Sequence, residues 1–311
     1  MKRFKNIMFF VDGKDDATPS LHRALSIAEA NEARLTLVDV IKPVDTPREL
    51  KSSHNIDFTE MLKKDRKMAL EKLIEGLEKH ESILYSKVLI GEPFIEVIKY
   101  VQSGEYDLLI KVARPPLDFG ERLFGGNDLH LLRKCPCPVL IDKPNAKRYY
   151  EHVLAAVELE PSYECSCDEQ VMQLAVSLAQ REDAQVDVAH AWHLDGESTF
   201  RMGRFRIPED ELELVLKSEE AIHRDRLKKL LFGFEHEVKQ DNVHMLKGEP
   251  MVVINRVASS IEADIIVMGT VGRVGIPGLF IGNTAEEILQ TTQSSILAVK
   301  PDGFVSPVRK A

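Results

Sequence analysis

The feature that most narrows the fold of this chain is that it is written twice. Gly91-Glu92-Pro93 returns as Gly248-Glu249-Pro250, and VLIDKP at residues 139–144 returns as ILAVKP at residues 296–301. An offset of 156 or 157 residues holds from Gly91 through Pro144. Chance supplies one shared tripeptide but not a constant spacing across several segments. The chain therefore reads as two copies of one domain, 1–145 and 146–311, meeting near residues 145–150. With 311 residues in all, each copy is long enough to bury its own core.

Within each copy, short apolar runs alternate with helical stripes. In the first, residues 6–11, 33–40, 82–90, 108–113 and 139–142 read as buried strands. Between them, Leu21, Ala24, Leu25 and Ala28 form one helical face, and Leu62, Leu70, Leu73 and Leu77 mark a long charged helix. The second copy repeats the order, with strands at 153–157, 186–192, 243–247, 264–268 and 296–299 and a long charged helix at 212–231. Strands alternating with helices indicate an α/β fold, a parallel sheet covered on both faces.

The densest chemical signal lies at residues 264–289, DIIVMGTVGRVGIPGLFIGNTAEEIL. An apolar strand runs into Gly269, Gly272, Gly275, Gly278 and Gly282, and Thr284-x-x-Glu287 ahead of Ile288 has the pattern of a capping box. A glycine-dense turn feeding a helix N-terminus offers backbone N–H groups and partial positive charge to a phosphate. The rival reading is a plain connection with a good helix cap. Aligning Gly126-Asn127 with Gly282-Asn283 puts Ala113 and Pro116 at the first two glycine positions of the first copy. Pro115 and Pro116 remove two N–H donors there, so phosphate binding is expected in the second copy only.

Gly269-x2-Gly272-x9-Gly282, followed by a small polar residue after the fourth strand, resembles the ATP-binding motif of the universal stress protein family. With the Gly-Glu-Pro turns and the tandem arrangement, the whole chain is similar to the two-domain members of that family. The resemblance implies a doubly wound sheet of five parallel strands in the order 3-2-1-4-5 in each half, the halves pairing about a pseudo-twofold axis as a pseudo-dimer within one chain. It implies ATP or a related adenine nucleotide as ligand, met by Glu158, the backbone at Ala191, and Met268, Gly269, Gly272, Gly282, Asn283 and Thr284. Glu158 stands where the family has Asp, and Asp12 holds that position in the first half. Asn283 stands where Ser or Thr is common; its amide can still donate to a phosphate and cap the helix. Arg273, the loop's cation, is a phosphate partner or a surface salt bridge.

Enzyme chemistry finds little support. No Gly-Lys-[Ser/Thr] phosphate loop, Gly-x-Ser-x-Gly or His-Glu-x-x-His occurs. The expected role is a cytoplasmic stress-linked regulator or sensor. Carriage of an apolar or lipid-like ligand, suggested by Glu158 and by Ile276, Leu279 and Phe280, is one alternative, and slow ATP hydrolysis is another. A net charge of −9 argues against a nucleic-acid surface. The apolar run at residues 7–11 is too short for a signal peptide and no run could span a bilayer, so neither secretion nor a membrane is expected. Cys135-Pro136-Cys137 and Cys165-Ser166-Cys167 could together supply a tetrathiolate zinc site, but Cys-x-Cys is less typical of zinc than Cys-x2-Cys, and separate thiols are the expected state. His190, Trp192 and His193 are expected to pack or hydrogen-bond beside the pocket. Arg201, Arg204 and Arg206 read as a loop, either a solvated arm or a cover for phosphates. Protein partners and further self-association are left open.

Overall fold

The computed structural model describes the chain apart from residues 1–3, 13–17, 55, 78–82, 114–125, 144–148, 160–166, 203–204, 271–282 and 311 and the side chains of Ser53, Asn283 and Thr284. It divides into two compact units. One comprises Met1–Tyr149, Thr270–Gly282 and Ser295–Ala311; the other comprises Tyr150–Gly269 and Asn283–Ser294.

The first unit follows the chain through β1 (Asn6–Phe10), α1 (Thr18–Asn31), β2 (Arg34–Ile41), α2 (Arg48–His54), α3 (Phe58–Glu75), β3 (Leu84–Ile90), α4 (Pro93–Ser103), β4 (Leu108–Val112), α5 (Gly126–Lys134) and β5 (Val139–Asp142). Its strands lie parallel in the order β3-β2-β1-β4-β5, the expected 3-2-1-4-5. Ile7, Met8, Phe9 and Phe10 are all fully buried. A strand covered on both faces needs a continuous apolar run rather than alternation, which is why its sequence reads as it does.

The second unit holds β6 (His152–Val157), α6 (Asp168–Glu182), β7 (Gln185–Trp192), α7 (Glu197–Met202), α8 (Glu209–Leu231), β8 (Val243–Lys247), α9 (Pro250–Ser260), β9 (Ile265–Gly269) and α10 (Asn283–Thr291). Its parallel strands run β8-β7-β6-β9, repeating 3-2-1-4. The fifth strand of the second repeat, β10 (Ser295–Val299), belongs to the first unit. There it pairs antiparallel with β5, Leu297 opposite Leu140, and gives that sheet a sixth strand.

The repeat extends to stereochemistry. Gly91 and Gly248 have φ of +145° and +149°, and their N–H groups donate to Ile41 O at 3.0 Å and Trp192 O at 2.9 Å. A Cβ at Gly91 would meet the Glu96 side chain at 2.6 Å, so both φ and space require glycine. Each turn is followed by a proline opening a helix, where its missing N–H costs nothing. Asp107 accepts from the N–H groups of Lys5 and Asn6, and Asp264 from those of Glu151 and His152. Each aspartate thereby ties the start of a fourth strand to the start of a first. Burial raises the Asp107 carboxyl above its ordinary value despite those N–H bonds.

Two helices form in stretches that read as loops. In α2, Pro47 O accepts from Leu50 and Lys51, and Asp57 caps the following α3 through Thr59 N and Glu60 N. In α7, Arg201 pairs on the surface with Glu197 and Glu209, Arg206 is exposed, and Arg204 lies outside the described residues. The two carboxylates raise the Arg201 guanidinium above its usual value. Among the described residues, no helix is long and apolar enough to cross a membrane.

Candidate functional site

In a doubly wound sheet, ligands bind outside the carboxyl ends of the strands where the order reverses. In the second unit that point lies where β6 is flanked by β7 and β9. The ladders place Val157 opposite His190 and Ala156 opposite Met268. Glu158, Ala191, Met268 and Gly269 are thereby brought to the ends of three neighbouring strands. Gly272, Arg273 and Gly282 lie outside the described residues. Asn283 and Thr284 are the first two residues of α10, and the proposed cap rests on side chains outside the description.

Glu158 is exposed, and its backbone is fixed by a residue that sequence reasoning missed. The Asp168 carboxylate accepts from Glu158 N at 2.9 Å and Leu159 N at 3.0 Å. Asp168 opens α6, where an acid also meets the positive end of the helix dipole. An acidic residue at a helix start beyond the first strand was the available signal. At Gly269, a Cβ would come within 2.6 Å of Cys167 Sγ. Glycine there is a requirement of close approach.

Beneath the strand ends lies a buried histidine pair. His190 Nδ1 is 3.1 Å from Val157 O, and because a carbonyl can only accept, that nitrogen carries the proton. His190 Nε2 then accepts from His223 Nδ1 at 2.8 Å, while His223 Nε2 lies 3.7 Å from Glu219 Oε1. Trp192 stacks on the His223 ring. His193 pairs with the exposed Asp195. These contacts are packing and hydrogen bonding, as expected. An open groove of about 430 Å³ runs beside Trp192, lined by Leu216, Met245 and Leu246 together with the charged Glu213, Lys217, Glu220 and Lys247.

The corresponding crevice of the first repeat is differently filled. Sheet register pairs Phe10 with Lys111, as it pairs Ala156 with Met268. Ala113 N donates to Asp142 O, as Thr270 N donates to Val299 O. Lys111 is thus the counterpart of Met268, Val112 of Gly269 and Ala113 of Thr270. This corrects the alignment that put Ala113 at the first glycine position. β4 and β9, like α5 and α10, stand 157 residues apart, whereas Gly126 and Gly282 stand 156 apart, so aligning on those glycines shifted the strand end by one residue. Lys111, 1% exposed, lies 3.1 Å from Asp12 Oδ2 and 2.6 Å from Asp128 Oδ1, and it donates to Val112 O. Asn127 Nδ2 also reaches Asp12. The acid that would meet a ligand is bound by a cation of the chain itself.

The profile of the universal stress protein family matches residues 3–143 and again residues 150–300. The chain belongs to the universal stress protein family. It does so in tandem form and over its whole length. Universal stress protein E of Photorhabdus laumondii is 27% identical over 325 residues, covering 100% of this chain and 99% of that protein. Universal stress protein E of Escherichia coli K12 is 26% identical, covering 99% and 98%. Among solved structures, a protein from Pseudomonas aeruginosa UCBPP-PA14 has a TM-score of 0.73 at 23% identity, covering 97% and 95%. A universal stress protein from Archaeoglobus fulgidus has a TM-score of 0.64 at 17% identity, covering 95% and 98%. At those identities the structural likeness is one of fold.

In this universal stress protein, Cys135 and Cys137 are buried with sulfurs 3.6 Å apart. The neighbouring Cys135 thiol and burial push the Cys137 thiol well up, which makes it a poor ligand or nucleophile. Cys165 lies outside the described residues, and Cys167 sits against Gly269. No group of three or more His, Cys, Asp or Glu among the described residues is arranged for a metal.

Proposed function

We propose that this universal stress protein binds one adenine nucleotide, ATP or a close relative, in its second repeat. It acts in the cytoplasm as a stress-linked regulator or sensor, through ligand-dependent contacts with other proteins rather than turnover. The repeats 1–145 and 146–311 are its functional halves. One observation carries the reading: two register-equivalent crevices are differently filled. Met268-Gly269 brings no charged side chain to the strand end beside the exposed Glu158, whereas Lys111-Val112 puts an ammonium on Asp12. In the second repeat, Glu158 would accept from ribose hydroxyls, the backbone at Ala191 would meet the base, and the loop glycines and the start of α10 would face the phosphates. Arg273 would pair with a phosphate. The loop has no lysine to stabilise a transferring phosphoryl group, which favours binding over hydrolysis.

Calorimetric titration with ATP tests the reading. Wild-type protein should saturate at one nucleotide per chain, and Gly272→Pro should abolish binding by deleting a loop N–H and fixing φ. Absence of saturable binding at millimolar nucleotide would reject it. A second reading, carriage of an apolar ligand, is favoured by the groove beside Trp192. Native mass spectrometry of the purified protein separates the two through the mass of whatever is retained.

A further inference from the structure

The Lys-Pro ending shared by the fifth strands has no role in the site as described. In the second repeat its lysine is Lys300, 6% exposed. Its ammonium donates to Leu132 O and to Thr270 Oγ1, both at 2.5 Å, and stands 5.0 Å from the Phe304 ring centre. Leu132 is in the last turn of α5, whose carbonyls lack partners within the helix and carry partial negative charge. Thr270 is the residue directly after Gly269 and is 1% exposed. Its N–H and hydroxyl both donate to Val299 O, at 3.2 and 3.3 Å.

We infer that Lys300 is a positioning residue for the glycine loop, locking Thr270 between the end of β10 and the C-terminal turn of α5. Thr270 stands between β9 and the glycine loop, so the lock fixes the point at which the chain leaves β9. A buried ammonium is tolerated where acceptors surround it, and here the acceptors are the two groups being joined. The comparison between repeats supports the assignment. The counterpart of Thr270 is Ala113, which has no hydroxyl to receive an ammonium, so the lock accompanies only the repeat that keeps its glycines. One helix turn separates Leu132 from Asp128, the partner of Lys111. The loop entry and the ion cluster of the first repeat therefore share α5.

The inference rests on the nucleotide reading for its consequence but not for its geometry, and the test separates them. Hydrogen–deuterium exchange of ligand-free protein reads the lock, and equilibrium dialysis with labelled ATP reads the site. Lys300→Met and Thr270→Val should each speed exchange at residues 270–284 and weaken ATP binding about tenfold, while Thr270→Ser, which keeps the hydroxyl, should match wild type on both. Should Lys300→Met fail to fold, the Val and Ser pair at Thr270 carries the comparison. Exchange unchanged by Thr270→Val overturns the lock. Faster exchange with unaltered affinity, in protein that binds ATP, overturns the positioning role. Faster exchange in protein that binds no ATP leaves the lock standing and rejects the nucleotide reading.

Discussion

Lys111 Nζ stands 3.1 Å from Asp12 Oδ2, so the acid ending the first strand of the first repeat is neutralised from within. The same ammonium is 2.6 Å from the fully buried Asp128. Removing one member of a buried ion cluster strands the others, so Lys111→Met should destabilise the protein by about 3–5 kcal/mol in urea unfolding. Adding Asp128→Leu should recover much of that loss. A Lys111→Met protein as stable as wild type would contradict the cluster.

The histidine pair makes a second claim on stability. His223→Phe keeps a ring against Trp192 but takes the donor from His190 Nε2, which is buried. The expected loss is about 1–3 kcal/mol, read from denaturant midpoints at constant pH. Nitrogen NMR of the wild type should show His190 protonated at Nδ1. A proton on Nε2 in the neutral ring would break the chain from Val157 O to His223.

Lys143 gives a pH-dependent prediction. Burial lowers its ammonium from 10.5 to about 8. Between those values the unfolded chain holds a proton that the folded chain has lost, so this group's contribution to stability rises with pH across that window. Below pH 8 both states are protonated and the folded state carries the full burial penalty. Lys143→Met should therefore be most stabilising at neutral pH, with its advantage shrinking as pH approaches 10.5. Urea midpoints of the two proteins at pH 7 and pH 10 decide it; an advantage that does not shrink contradicts the assignment.

Much of the fold was legible because doubly covered strands leave apolar runs and helices leave stripes. The repeat fixed the correspondence between the halves from Gly91 onward. The pairing of β10 with β5 is a tertiary event that no local pattern encodes. Lys111 was hidden because it sits inside the apolar run LLIKV, where a lysine reads as a strand end turning to solvent, yet it points to Asp12 and Asp128. The one-residue slip at Ala113 arose from anchoring the alignment on Gly126 and Gly282, 156 residues apart where the elements on either side of the loop are 157 apart. Lys300 acts on the Leu132 carbonyl far away in the chain, and such a bond leaves no spacing signature.

The proposed nucleotide site is single and lies in the second repeat. Photolabelling with an azido-adenine analogue of ATP, followed by peptide mapping, tests it most directly. Label is expected at the strand ends around residues 157–159, 190–192 or 268–284, at no more than one per chain and displaced by ATP. Displaceable label on peptides of the first repeat around Asp12 or Lys111 would contradict it.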